Sequence, residues 1–443
     1  MRGADETMIP QKEERMRSRP IRILSAALLA SSLAGGHARA DDIVFMSTQL
    51  RPLEEAQKLR DVILKGFPEK VTFVTEDAAP LTIRMKAEAQ AGKRTVSVVG
   101  AGHGELQPLA AIDALDAIDD VAAKLADRGI PASLMRLGKL GTEKQLYIPW
   151  MQATYIMVAN KKALPFLPAG ADINALSYDQ LAAWAKAIQE KSGQRRLGFP
   201  AGPKGLMPRF FEGYLYPAYT GGVVTTFRSP EAETMWAAFK TLWQSVNPNS
   251  ANYDFMQEPL LGGEVWLAFD HVARLKEALL AKPDDFVTFP APAGPKGRGY
   301  MAVVAGLSIA KGAPNRAGAE ALIAYLTKPE VQVTTAAEVG FFPVAKVDLP
   351  ANLAPGIKLE ASAVDKTQNA PDAVVSFLPV GLGDKGGEFN KVYMDSFQRI
   401  VLRGEPIRAV LDAEGDALKA IMTATGAPCW TPDPASTGAC PVK

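Results

Sequence analysis

Few residues in this chain are equipped for chemistry. There are three histidines and two cysteines. His37 lies in an N-terminal stretch read below as removable, which leaves His103 and His271. His103 sits in Gly100-Ala101-Gly102-His103-Gly104, placed as a loop between a strand and a helix. The third glycine comes one residue early for a G-x-G-x-x-G dinucleotide loop, and an exported protein is a poor home for NAD. No G-x-S-x-G nucleophile elbow is present, so a serine hydrolase has no support. Cys429 and Cys440 have no histidine nearby and make no zinc site. A glycosidase needs only two carboxylates facing one bond, and sequence spacing does not exclude such a pair. Iron would need clustered tyrosines, and Tyr214, Tyr216 and Tyr219 are the one cluster that offers them. They also fit a helix that is part core and part surface. No metal or organic cofactor is expected.

Composition narrows the classes further. The chain has 443 residues, 47% hydrophobic and 22% charged, which is globular and long enough for two or three domains. Lys+Arg 49 against Asp+Glu 48 leaves no electrostatic case for nucleic acid. Arg15, Arg17, Arg19 and Arg22 precede the apolar run Ile23 to Leu33, and His37-Ala38-Arg39-Ala40 follows. That is the pattern of a secretory signal peptide over 1–40, with cleavage before Asp41. The apolar run is too short to span a bilayer, and Met16 is an alternative start. No lipid-anchoring cysteine precedes the mature segment, so a free, soluble, monomeric protein is expected. In an oxidising compartment Cys429 and Cys440 form one disulfide closing a tail over 426–443, worth about 2–3 kcal/mol by loop entropy.

These residues need elements to hold them. Asp41 to Ser47, Val71 to Val74 and Thr95 to Val99 read as strands. Helical spacing over Leu53 to Phe67 and Pro80 to Ala91, and from Glu105, separates and follows them. This β-α alternation predicts an α/β lobe with a largely parallel sheet. Ser177 with Gln180 is a capping box for a helix that Gly193 stops. Ser229-Pro230-Glu231 starts another, with Trp236, Phe239 and Trp243 on one face. Those tryptophans and Trp184 are assigned to the core. Later come strands at Gly263 to Phe269 and Met301 to Ile309, and helices at Asn315 to Leu326, from Lys328 to Gly340, Phe389 to Arg403 and Ile407 to Thr423.

Between the two halves lies Gln145 to Asn160, QLYIPWMQATYIMVAN, two apolar runs broken at Pro149. Proline cannot donate to a sheet ladder, so it fits a strand end or edge. The break is read as the chain passing from one lobe into another. Two successive strands of one sheet remain the alternative.

Several stretches together resemble the extracellular solute-binding proteins that serve ABC importers, in their sugar-binding, maltose-binding-protein branch. IVFMS at Ile43, MKAEAQAGKRTVSVVG at Met85, YIPWMQATYIMVANKKAL at Tyr147 and GGEVWLAFDHV at Gly262 carry the likeness. GLSIAKGA, AGAEALIAYLTKPEVQ and EVGFFPV extend it, and VYMDSFQRIVLRGEPIRAVLDAEGDAL completes it. The Pro-Asp usual before the third strand is absent, and Trp266-Leu267 replaces the usual Ala-Met. The resemblance implies a two-lobe periplasmic binding fold of type II, α/β in each lobe, with a ligand cleft at a multi-crossing hinge. It divides the mature chain into 41–149 and 299–348 for the first lobe, and 150–298 and 349–425 for the second. It also implies ligand contacts. They are Ser47, Thr48 and Gln49 after the first strand, His103 at a helix start, and Trp150 and Gln152 at the crossing. In the second lobe they are Arg209 with Phe210, Asp270 with His271, and Phe389 with Tyr393. Tryptophan stacks on the apolar face of a sugar, and glutamine both donates to and accepts from hydroxyls. The implied function is delivery of a sugar or sugar-like polyol to the permease of an ABC importer. A polyamine or iron ligand and a secreted glycosidase are the alternatives.

Overall fold

The computed structural model describes residues 42–50 and 53–443, so the expected signal peptide, its cleavage site and Met16 lie outside the described residues. The strands in chain order are β1 (Ile43–Ser47), β2 (Val71–Thr75), β3 (Val98–Gly102), β4 (Ile148–Ala153), β5 (Tyr155–Asn160), β6 (Leu197–Gly198), β7 (Leu267–His271), β8 (Phe286–Phe289), β9 (Ala293–Gly294), β10 (Gly297–Ile309), β11 (Phe342–Pro343) and β12 (Ala373–Phe377).

The first lobe is built on the order β11-β4-β10-β3-β1-β2. β2 and β3 flank β1 in parallel, as the βα alternation predicts. β10 closes the sheet antiparallel to both β3 and β4. β3 is buried throughout, because helices cover both faces of the sheet. The second lobe holds β6-β7-β5-β8. Its core is aromatic: Phe199, Phe210, Phe211, Trp236, Phe239 and Phe269 are each no more than 1% exposed. Ser177 and Gln180 close their capping box on the helix Tyr178–Ser192, and Gly193 ends it at φ 70°. Ser229 caps Pro230–Trp243. Trp184 and Trp236 are fully buried, and Trp243 packs against the same core.

The passage between lobes differs from the sequence expectation. β4 belongs to the first sheet and β5 to the second, so they are not neighbours in one sheet, and the switch falls at Thr154 rather than at Pro149. Pro149 is inside β4, opposite Gly306, where the register with β10 slips and Trp150 is left without a partner. A bulge frees the proline from its missing donor. β10 is the second crossing. Its first half, Arg298 to Ala302, pairs with β12, and its second half, from Val303, pairs with the first sheet.

A hydroxyl network pins the two crossings together. Thr154 Oγ1 donates to the Met301 carbonyl at 2.9 Å and lies 2.8 Å from the Tyr214 hydroxyl. That hydroxyl accepts from the Tyr155 amide at 2.9 Å. Gly213 and Gly299 let the chain around Tyr214 close on β10: a Cβ on Gly299 would stand 2.3 Å from the Tyr214 carbonyl oxygen.

The tail is more than an appendage. Cys429 and Cys440 are bonded, and Trp430, Cys440 and Val442 are part of the second lobe's core. Asp433, 5% exposed, accepts from the amides of Val223, Val224 and Thr225 at 2.9–3.0 Å and from the Thr225 hydroxyl.

Two outcomes follow from this packing. Asp433→Ala strands three amides and is expected to cost about 3 kcal/mol in denaturant unfolding with the disulfide intact, since bonds to a charged acceptor are the stronger kind. A change under 0.5 kcal/mol would mean that the disulfide alone holds the tail. Tyr214→Phe leaves the buried Tyr155 amide without its acceptor and is expected to cost about 1–3 kcal/mol, read the same way.

Candidate functional site

A cavity of about 550 Å³ opens between the lobes. The first lobe contributes the end of β1 and the start of the helix His103–Ala111. Leu50, just past β1, holds a left-handed φ of 56°. That conformation is strained for a side chain with a Cβ, and burial of Leu50 to 2% exposure fixes it. The turn sets Thr48 and Gln49 against Glu105. One oxygen of Glu105, Oε2, accepts from Thr48 Oγ1, from Gln49 Nε2 at 3.2 Å and from the Gly102 amide at 2.8 Å. This is the back half of a capping box: the third helical residue satisfies the amide before the helix. All three bonds fall on Oε2, and the Glu105 carboxylate lines the cavity.

The second lobe faces this carboxylate with Arg209, on the short helix Met207–Phe210, and with the segment from Leu378 to Gly386. Arg209 donates through Nη1 to Glu212, which is 1% exposed. Burial raises the Glu212 pKa, and the Arg209 charge opposes that rise. Asn390 completes the polar set. Among the described residues no phenylalanine, tyrosine or tryptophan lines the cavity. The two faces meet at Gly104, where an added Cβ would stand 2.8 Å from the Pro379 carbonyl oxygen. Only glycine allows that approach without displacement.

Of the residues expected to bind ligand, Gln49 and Arg209 line the cavity, and Thr48 stands behind them on Glu105. Ser47 is fully buried, and its hydroxyl accepts from the Gln49 amide at 3.0 Å. His103 is beside the cavity: its Nδ1 lies 2.9 Å from the Tyr147 hydroxyl, and its ring packs near Phe377. Burial lowers its pKa to about 4. Four aromatic assignments need correction. Trp150, as the bulged residue of β4, turns into the first lobe's core against Phe45. Phe210, Phe389 and Tyr393 are at most 1% exposed in the core of the second lobe. Gln152 is also elsewhere. Its amide donates to the Pro343 carbonyl at 2.8 Å and to Gln368 at 3.2 Å, beside a separate opening of about 450 Å³. Asp270 is fully buried and accepts from the amides of Met256 and His271, and burial pushes its pKa up to about 7. His271 caps a short turn through Nδ1, with its pKa lowered by burial to about 3. Glu105, Ile83, Asn390 and the Leu378–Gly386 segment are cavity residues that sequence reasoning missed. Only Glu105 left a signal, as the third residue of a helix beginning at a strand end.

The histidines set an acid limit. A folded-state pKa of about 4 at His103, below the ordinary 6.5, means that the unfolded chain binds the proton more readily. Stability present above pH 6.5 is therefore lost as pH falls towards 4. His271 acts in the same direction. His103→Gln is expected to shrink the drop in melting temperature between pH 6.5 and 4.5. Parallel curves for the variant and the parent would count against this.

Comparison with known proteins bears first on the fold. Among solved structures, the sugar-binding protein MalE from Xanthomonas citri matches with a TM-score of 0.67 at 17% identity, covering 86% of this chain and 97% of that one. Maltose-bound MalE3 of T. maritima matches at 0.66 and 16%, covering 86% and 99%. UgpB from Mycobacterium tuberculosis, in complex with glycerophosphocholine, matches at 0.66 and 18%, covering 86% and 98%. At such identities the likeness is one of fold: two lobes, with the cleft between. A search of curated proteins by sequence finds no match. The sequence profile of one family, however, matches residues 53–333, well over half of the chain. The chain belongs to the bacterial extracellular solute-binding proteins.

Proposed function

We propose that this protein is a periplasmic receptor, exported by its N-terminal segment and working as a monomer, that carries a sugar or sugar-like polyol to the permease of an ABC importer. The observation that carries the reading is the polar set across the cavity. The Glu105 carboxylate is an acceptor on one lobe, Arg209 a charged donor on the other, and Gln49 and Asn390 supply amides that do both. Such a mixture suits vicinal hydroxyls, each of which donates and accepts. The MalE structures, one of them bound to maltose, support a hydroxylated ligand in this fold.

The same cavity argues against the rivals. Among the described residues Glu105 is the one carboxylate on its lining, whereas glycoside hydrolysis needs two flanking the bond. An iron site would draw on Tyr214, Tyr216 and Tyr219, and these are at most 7% exposed in the second lobe's core. A polyamine would want several carboxylates, and here a guanidinium shares the cavity with the only one among the described residues. On this reading the receptor binds its solute without turnover.

A ligand bridging Glu105 and Arg209 touches both lobes at once, so it binds the closed arrangement better and shifts the population towards it. Calorimetric titration of mono- and disaccharides and polyols, alongside polyamines, is expected to give a saturable response for the hydroxylated set. The tightest ligand should be recovered unchanged and should reduce the radius of gyration in X-ray scattering. Glu105→Gln is expected to weaken its binding by roughly 1–3 kcal/mol. Binding confined to polyamines, or release of a hydrolysis product, would refute the reading.

A further inference from the structure

Thirteen of the eighteen described residues lining the cavity are glycine, alanine, proline or branched aliphatics, and none of the eighteen is aromatic. That is an unusual surface for a bare sugar, whose carbon faces are commonly met by flat rings. The most telling residue is Ile83. It lines the cavity from the helix Ala78–Gln90, yet it is 69% exposed. Ala79 lies one turn before it on the same face, so the two make an aliphatic stripe. Pro108 stands on the next helix of the same lobe, and Leu378 and Leu382 supply branched aliphatic surface from the other. The polar side chains beside this surface are few: Gln49, which donates to Glu105 at 3.2 Å, with Thr82, Arg209 and Asn390.

We infer that the solute is amphiphilic: a polyhydroxylated head carrying a flexible alkyl or acyl substituent. The head is read by Gln49, Glu105 and Arg209. The substituent lies along Ala79 and Ile83 and is covered by Leu378 and Leu382 when the lobes meet over it. A flexible chain matches walls that are aliphatic and irregular, whereas a flat aromatic substituent would find no ring to stack upon. The cavity, at about 550 Å³, falls within the range that takes a whole small ligand and has room for a short chain beside a sugar ring.

This inference rests on the carbohydrate reading, and one experiment separates the two. The exported protein is titrated calorimetrically with matched methyl and n-butyl glycosides of each hexose and of maltose. Each methylene taken from water contributes a factor of about three to four, so the three extra methylenes of a partly buried butyl chain are expected to tighten binding roughly fivefold to fiftyfold over the methyl glycoside of the same sugar. Ile83→Ser is expected to cut that increment several-fold, and because Ile83 is exposed the substitution should leave the melting temperature in place. Equal affinity for methyl and butyl partners overturns the inference while leaving a sugar receptor standing, because lobe closure alone would then cover Ile83. A butyl increment that survives Ile83→Ser also overturns it. Failure of every glycoside, with another solute bound, overturns the carbohydrate reading and this inference together.

Discussion

The whole arrangement hangs on one buried hydroxyl. Tyr214 reaches from the second lobe to the point where β4 becomes β5, and it meets both Thr154 and the Tyr155 amide there. Thr154 in turn holds β10 at Met301. Two chain segments that must pass between lobes are thereby tied at one place, and the polar groups freed by leaving one sheet and joining another are satisfied there. A residue switching sheets leaves the first ladder before it enters the second, and in a dry interior that gap costs as much as a lost hydrogen bond. The network fills it. Gly213 and Gly299 belong to the same solution, since their missing side chains let the Tyr214 backbone lie directly on β10.

The cavity inherits its character from that anchoring. With the crossings fixed behind it, the ends of β1 and β3 and the start of the helix His103–Ala111 face Arg209 and the Leu378–Gly386 segment. Glu105 joins local structure to the cavity. One of its oxygens closes a helix start, which fixes the carboxylate on the cavity wall. Arg209 is held by a buried partner in a comparable way, so both charges are fixed in place. Preorganisation of this kind lowers the entropy cost of association.

Most elements were legible in the sequence because their signals are local. The Ser177 capping box, the Ser229-Pro230 start and the Gly193 and Gly340 stops appear where spacing predicts them. The crossing was displaced by four to five residues because a proline normally marks a strand end, and here a bulge hides it. The site was less legible for a different reason. Trp150, Phe210 and Phe389 have the chemistry of sugar stackers and equally the chemistry of core, and only the three-dimensional packing decides between them. Asp270 looked like a ligand because it continues an alternating strand, but its carboxylate is consumed by two backbone amides. The Leu378–Gly386 wall has no periodicity and offers no pattern to read.

The tail bears on how the molecule is made. The core of the second lobe combines residues from Tyr155 to Ala291 with residues from Val380 to Val442. The first sheet needs β10, some two hundred residues after the β3 strand that it pairs with. Neither lobe can seal its interior on a growing chain until distant segments have left the ribosome. Contacts this far apart in sequence also form slowly. The nascent polypeptide therefore spends most of its synthesis with apolar surface uncovered, available to holding chaperones and still loose enough to be threaded through a narrow translocation pore.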